Sequence, residues 1–349
     1  MKIISAASAL PAHVYSQEVI TEAFKRHWSG KLPNAGLLER LHARVGVRQR
    51  HLAYPMEQYA AFENFGQTNR AWMEAAEEIG AAALDGALRR AGLERDALSA
   101  LFMVSITGIA SPSLDARLIN RMGLRTDLKR TPIFGLGCVG GATGLTRAAD
   151  YVRAYPSQFA AILSVELCSL TIQRDDHSIV NLISIGLFGD GAVAAIMAGA
   201  ETAFSGPRVV DTRSVFYPGT EEIMGWDISE KGFQVVLSPK LPELIIGRLG
   251  DDVDAFLATH ELQRRDIGNW IIHPGGPKVL RAVEQALGLR ERDLEVSWEC
   301  LARCGNLSSG SVLMVLEEVL NHRRPVAGTP AMIMAMGPGF CSEMLLVRW

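Results

Sequence analysis

A chain of 349 residues is long enough for two domains, or two closely packed halves, around a large buried core. Apolar residues at 48%, charged residues at 21% and a net charge of −3 fit a globular protein and give no electrostatic case for nucleic acid or an anionic membrane. The five cysteines, with only Cys300 and Cys304 in a C-x3-C spacing, argue against a zinc site or a disulfide framework, and no run is long enough for a membrane span, so a soluble protein in a reducing cytoplasm is expected.

The opening MKIISAASALPA has a single lysine and a short apolar stretch broken by serines. It reads as a first strand, Lys2 to Ala7, rather than as a secretion signal. Residues 12 to 60 read as helix and loop with a basic cluster: Arg40, Arg44, Arg48 and Arg50. Such a run is usually a solvated face, although arginine forks also match phosphate oxygens. Residues 70 to 91 predict a helix, with Ala81, Leu84, Leu88 and Ala91 at helical spacing and Gly92 as its stop. Ala100 to Ile106 is almost wholly apolar, as in a strand buried on both faces.

Residues 131 to 154, TPIFGLGCVGGATGLTRAADYVRA, predict a strand, a tight glycine turn carrying Cys138, and a buried helix with Leu145, Ala149 and Val152 on one face. A thiol at a helix N-terminus sees the positive end of the dipole, which favours the nucleophilic thiolate. Two other readings compete. A lone cysteine often only fills space. Gly135, Gly137 and Gly140 also spell G-x-G-x-x-G, the dinucleotide fingerprint, with Glu166 as a possible ribose acid. Ala160 to Val165 is another buried strand, and Asp190-Gly191 before Ala192 to Met197 reads as a tight turn or hairpin.

The second half repeats this plan loosely. Arg208 to Phe216 and Phe233 to Leu237 read as strands that pair, and Leu241 to Leu257 as a helix. Asn269 to Ile272 is a short apolar strand that stops at His273, before a Gly275-Gly276 turn and a helix with Val279, Leu280, Val283, Ala286 and Leu287. Cys304-Gly305-Asn306 feeds a helix carrying Val312, Leu313, Val315, Leu316, Val319 and Leu320. Ala331 to Met336 and Met344 to Val347 close the chain as strands. Strands alternating with helices predict a mostly parallel, helix-covered α/β sheet. Two such halves, 1–200 and 201–349, predict a duplicated αβαβα sandwich in which the Cys138 and Asn306 turns face each other.

Cys138, His273 and Asn306 then form a candidate set. A histidine beside a thiol stores its proton. The same imidazole, with an asparagine NH2, donates to a carbonyl oxygen gaining charge. Singly, each has a plainer explanation: a packed histidine, and a helix cap.

WIIHPGGPKVL (270–280), CGNLSS (304–309), LFGDGA (187–192) and MGPG (336–339) resemble, in order and spacing, the motifs of the type III polyketide synthases, the chalcone synthase-like branch of the thiolase fold. GLGCVGGATGL (135–145) resembles the nucleophile turn of their bacterial members. The resemblance spans nearly the whole chain and demotes the dinucleotide reading. It implies a five-layered thiolase fold and a homodimer, with acyl-CoA and malonyl-CoA as substrates and neither cofactor nor metal. It casts Cys138 as acyl acceptor and His273 with Asn306 as the decarboxylating pair. By position it implies Phe188 as gatekeeper, Arg40 and Arg44 as CoA-phosphate contacts, and Ser308 as cavity lining. Gly337, Pro338 and Gly339 match the loop shaping the cavity wall, and Arg48 and Arg50 are left as surface.

Departures bear on the product. Ala335-Met336 replaces the Gly-Phe of the plant G-F-G-P-G motif, and Val235 stands where those members have a second phenylalanine gatekeeper. Trp226 stands for glycine, Cys168 for threonine and Ser111 for methionine. These disfavour a p-coumaroyl starter and resemble bacterial members that turn fatty acyl-CoA into alkylpyrones or alkylresorcinols. Alternatives are a ketoacyl-ACP synthase III-like enzyme, a Cys-His-Asn hydrolase and a non-catalytic acyl-CoA binder.

Overall fold

The computed structural model describes residues 1–31 and 36–349. The first half runs β1 (Lys2–Ala9), β2 (His13–Ser16), α1 (Gln17–His27), α2 (Leu37–His42), β3 (Gln49–Leu52), α3 (Phe65–Ala91), β4 (Leu98–Val104), α4 (Leu114–Met122), β5 (Lys129–Ile133), α5 (Gly140–Ala154), β6 (Phe159–Leu167), α6 (Ile179–Leu187) and β7 (Asp190–Ala198). The second runs β8 (Arg208–Phe216), β9 (Met224–Ser229), β10 (Gly232–Leu237), α7 (Leu241–Ala258), β11 (Asn269–Ile272), α8 (Pro277–Leu287), α9 (Glu295–Cys304), α10 (Gly310–His322), β12 (Pro330–Gly337) and β13 (Cys341–Arg348).

The strands of the main sheet lie in the order β11-β12-β13-β8-β1-β7-β6-β4-β5. Within the sheet, β1 and β8 pair at a single residue pair, Lys2 with Arg208, so the sheet is two layers hinged there. Each layer starts from its first strand and then takes its last two strands in reverse order, which is the duplication expected from the sequence. The sheet is mixed rather than mostly parallel: β4 pairs in parallel with β5 and β6, and β11 with β12, while the other main-sheet pairs are antiparallel.

Strand periodicity builds the five layers. On β4, Ala100, Phe102 and Val104 face the central core while Leu101 and Met103 face α3 and α4. On β12, Ala331, Ile333 and Ala335 face the centre while Met332, Met334 and Met336 face the α7–α8 side. The central layer is α5 and α10; α10 is apolar on nearly every side, α5 turns Arg147, Asp150 and Arg153 outward, and Leu145, Ala149, Val312 and Leu316 are fully buried. Small residues set their distance. A Cβ on Gly141 would fall 2.1 Å from the Ser309 carbonyl oxygen, so only glycine allows this approach.

Three local expectations are corrected. Arg208–Phe216 pairs with β13 and β1, whereas Phe233–Leu237 pairs with the unforeseen strand β9 in a separate two-stranded sheet. Asp190-Gly191 is no turn: both residues open β7, and buried Asp190 accepts hydrogen bonds from the backbone N–H of Ser169 and Ala53. Arg50, assigned to the surface, is 2% exposed.

Candidate active site

The glycine turn after β5 holds Cys138 in a short 3-10 turn, Gly137–Val139, that runs into α5. Gly137 has φ +52°, and a Cβ there would meet the Pro338 ring at 2.7 Å, so the 337–339 loop packs directly under the nucleophile turn. His273 follows β11, its backbone N–H donating to Met334 O at 2.9 Å. Asn306 lies between α9 and α10, tied to α6 by Asn306 N–H to Leu187 O at 2.8 Å and Gly189 N–H to Asn306 O at 3.0 Å. Cys138, His273, Asn306 and Ser308 all line one cavity of about 80 Å3, whose other walls include Leu187, Phe188, Trp226, Val235, Met336 and Pro338.

The orientation of the asparagine amide follows from its partners. Oδ1 accepts from the Ser308 backbone N–H at 2.7 Å, a group that can only donate, and from Ser311 Oγ at 3.3 Å. Nδ2 therefore points the other way. One of its hydrogens goes to Gly275 O at 3.2 Å, and the second remains for the cavity. His273 is buried, and among the described residues neither ring nitrogen has a partner. Two neutral donors are thus presented to the space beside a thiol, the arrangement that stabilises a developing oxyanion.

The electrostatics differ from the sequence expectation. Cys138 lies in the turn before α5, and burial pushes its thiol up to about 11, opposed by hydrogen bonding to Ser308, whose Oγ is 3.7 Å from Sγ. Burial pulls His273 down to about 3. The resting site therefore holds a neutral thiol and a neutral imidazole, and charge separation means moving the proton within the cavity.

The remaining candidates divide. Phe188, Trp226, Ser308 and Pro338 line the cavity; Gly337 and Gly339 flank Pro338 without lining it. Cys168 lines a smaller cavity of about 20 Å3 behind Phe188, Trp226 and Val235. Arg40 and Arg44 are exposed on and just after α2 and line neither cavity. Ser111 is exposed ahead of α4 and also lines neither. Glu166 is no ribose acid. It is fully buried and accepts from Ser309 Oγ on one oxygen, and from Ile106 N–H at 3.1 Å and Thr107 Oγ1 at 2.9 Å on the other. Sequence reading missed Met224 and Leu241, which also line the cavity; the apolar start of α7 was the only signal.

Comparison with known proteins agrees with this geometry. The family description "Chalcone and stilbene synthases, N-terminal domain" matches residues 1–202, and its C-terminal counterpart matches 208–349. The chain is 51% identical to a 1,3,6,8-tetrahydroxynaphthalene synthase of Streptomyces peucetius subsp. caesius, covering 98% of this chain and 91% of that one. It is 32% identical to a 3,5-dihydroxyphenylacetyl-CoA synthase of Streptomyces toyocaensis, covering 100% and 90%. The crystal structure of 1,3,6,8-tetrahydroxynaphthalene synthase from Streptomyces coelicolor A3(2), a bacterial type III polyketide synthase, superposes with a TM-score of 0.95 at 30% identity over 100% of this chain and 99% of that one.

Proposed function

The chain belongs to the chalcone and stilbene synthase family, the type III polyketide synthases, and from that membership we propose how its site works and what it makes. It is a condensing acyltransferase acting on CoA thioesters. Cys138 takes the starter acyl group and releases CoA. His273 and Asn306 donate to the thioester carbonyl of malonyl-CoA as its terminal carboxylate leaves as CO2. The resulting enolate carbon attacks the Cys138 thioester, the C–S bond breaks, and the chain passes to CoA two carbons longer. The observation that carries this reading is the Asn306 amide, its oxygen tied off and its free N–H turned toward the cavity of Cys138.

For the starter, the cavity of about 80 Å3 holds no more than a handful of water-sized groups and has Trp226 as a wall. That supports a starter as small as malonyl-CoA itself. The two named relatives support the same choice, since both products are compact hydroxylated aromatics without an alkyl chain. Malonyl-CoA as starter and extender, giving 1,3,6,8-tetrahydroxynaphthalene or a similarly compact aromatic, is therefore our first reading. The fatty acyl reading, leading to alkylpyrones or alkylresorcinols, draws support from the cavity behind Trp226, which shares Arg50, Ser169, Thr171 and Ile172 with an outer cleft of about 1000 Å3.

Arg40 and Arg44 are proposed to meet CoA phosphates, so alanine at both is expected to raise the KM for malonyl-CoA. A cytoplasmic homodimer belongs to the same proposal; β5 forms an open sheet edge next to exposed Phe134. Light scattering on the purified chain tests the assembly. The deciding experiment incubates the protein with malonyl-CoA alone and with C2 to C16 acyl-CoAs, without carrier protein, and reads products by mass spectrometry beside Cys138→Ala. A naphthalenol from malonyl-CoA alone supports the first reading. Products only with long acyl-CoAs support the second. Hydrolysis without condensation, or no turnover at all, would overturn both.

A further inference from the structure

The C-terminus of α6 leaves carbonyl groups that the helix cannot satisfy itself. The carbonyls of Ile185, Gly186 and Leu187, and that of Phe188 just after the helix, are each met by a group from elsewhere in the chain. Arg50 Nη1 donates to Ile185 O and, at 2.7 Å, to Phe188 O. Gln17 Nε2 donates to Gly186 O at 3.1 Å. The Leu187 carbonyl is met by the backbone N–H of Asn306 itself. The end of α6, the gatekeeper Phe188 and the asparagine that faces the thiol are therefore one joint. A cation at this end is also favoured by the helix dipole. Burial lowers the Arg50 guanidinium only to about 10, with Asp190 opposing, so the charge is present at neutral pH.

Packing ties Arg50 to Asn306 a second time. Gly305 has φ +72°, and a Cβ there would lie 2.7 Å from Leu187 O and 3.2 Å from Arg50 Cδ and Cγ. The stem of Arg50 is thus the floor on which the 305–306 peptide rests, while its head holds the end of α6 to which that peptide is bonded.

We propose that Arg50 is a positioning residue for the condensation: by capping α6 from one guanidinium nitrogen and supporting Gly305 with its stem, it fixes the Asn306 amide and the Phe188 ring relative to Cys138. This rests on the reading of Asn306 as a donor to the malonyl thioester. A displacement of a donor by an ångström, caused by a change outside the reacting groups, is enough to cost about 100-fold in rate. Lysine retains the charge and the apolar stem, but its ammonium sits one bond short of the guanidinium nitrogen that donates, so it restores part of the alignment.

The test measures malonyl-CoA decarboxylation, separated into kcat and KM, for wild type, Arg50→Lys, Arg50→Met and Asn306→Ala. Alkylation of Cys138 by iodoacetamide and thermal unfolding are followed on the same samples. Arg50→Met is expected to lose about 100-fold in kcat with KM little changed, and Arg50→Lys about tenfold, while Cys138 alkylation stays within about twofold of wild type. A general loss of structure would instead lower decarboxylation and change alkylation together. The inference is overturned if both Arg50 variants decarboxylate within threefold of wild type while Asn306→Ala does not. It is also overturned if neither variant folds, or if alkylation changes in proportion to kcat. If Asn306→Ala itself decarboxylates like wild type, the reading of Asn306 fails first, and the assignment of Arg50 falls with it.

Discussion

Replacing Glu166 by glutamine should stabilise the protein at alkaline pH and leave it little changed at acid pH. Burial pushes this carboxyl from its ordinary 4.5 up to about 7, against the pull of hydrogen bonds from Ser309, Ile106 and Thr107. Between those values the folded protein keeps a proton that the unfolded chain has lost. The stability this provides is complete below about pH 4.5 and is lost as pH rises through about 7. A shift of about 2.5 units corresponds to roughly 3 kcal/mol, a substantial part of the 5–15 kcal/mol typical of a folded domain.

Glutamine fits the same contacts. Its carbonyl replaces the oxygen that accepts from Ile106 N–H and Thr107 Oγ1, and its NH2 replaces the one facing Ser309. The Ser309 hydroxyl then turns toward Ser164 Oγ, 2.7 Å away. The assay is urea unfolding of wild type and Glu166→Gln at pH 5 and pH 8.5. The difference between the two proteins isolates Glu166, because Asp190, pushed up by burial to about 6, titrates in both. The variant should gain on wild type by roughly 1–3 kcal/mol between the two pH values. An equal difference at both pH values, or a wild type that gains on the variant at pH 8.5, refutes the reasoning.

Other outcomes follow from the same geometry. Asn306→Ala removes the proposed oxyanion donor and should lower decarboxylation by about 100- to 1000-fold while Cys138 still accepts an acyl group, as single-turnover loading would show. In His273→Ala the thiol has lost its proposed internal base, so iodoacetamide alkylation of Cys138 should climb about tenfold per pH unit from pH 7 to pH 10, toward the value of about 11 set by burial; a plateau above pH 8 contradicts this. Trp226→Ala removes the wall between the two cavities and should admit longer acyl-CoA starters, read as a mass shift in the products. Gly141→Ala drives a Cβ into the Ser309 carbonyl and should cost at least about 1–3 kcal/mol in thermal or chemical unfolding.

The sequence was most informative where burial acts on every residue of an element. Asn269–Ile272 and α10 are apolar on nearly all sides, so their existence and positions follow from composition alone, and the turns at Cys138 and Asn306 announce themselves by their glycines. Pairing was less legible, since β8 and β10 are both short runs with no mark of their partners; β8 joins β13 more than 100 residues away. Charged and polar residues misled for a different reason. Arg50 belongs to a basic run that reads as solvated, and it is buried only because the carbonyls of α6, far along the chain, need donors there. Asp190-Gly191 has turn composition, but the buried N–H groups of Ala53 and Ser169 require an acceptor, and the aspartate fills that need inside a strand.

The β9–β10 hairpin lies outside the main sheet, and its cross-strand partners Trp226 and Val235 both line the cavity. Cys138, His273 and Asn306 stand on the central seam, where missing Cβ atoms leave no tolerance for change. Six residues lining the cavity thus come from a ribbon that carries none of Cys138, His273 and Asn306, while Phe188, Ser308 and Pro338 line it from elsewhere in the chain. Substitutions within this fourteen-residue ribbon, Met224 to Leu237, therefore reshape that part of the wall without touching the residues proposed to do the chemistry.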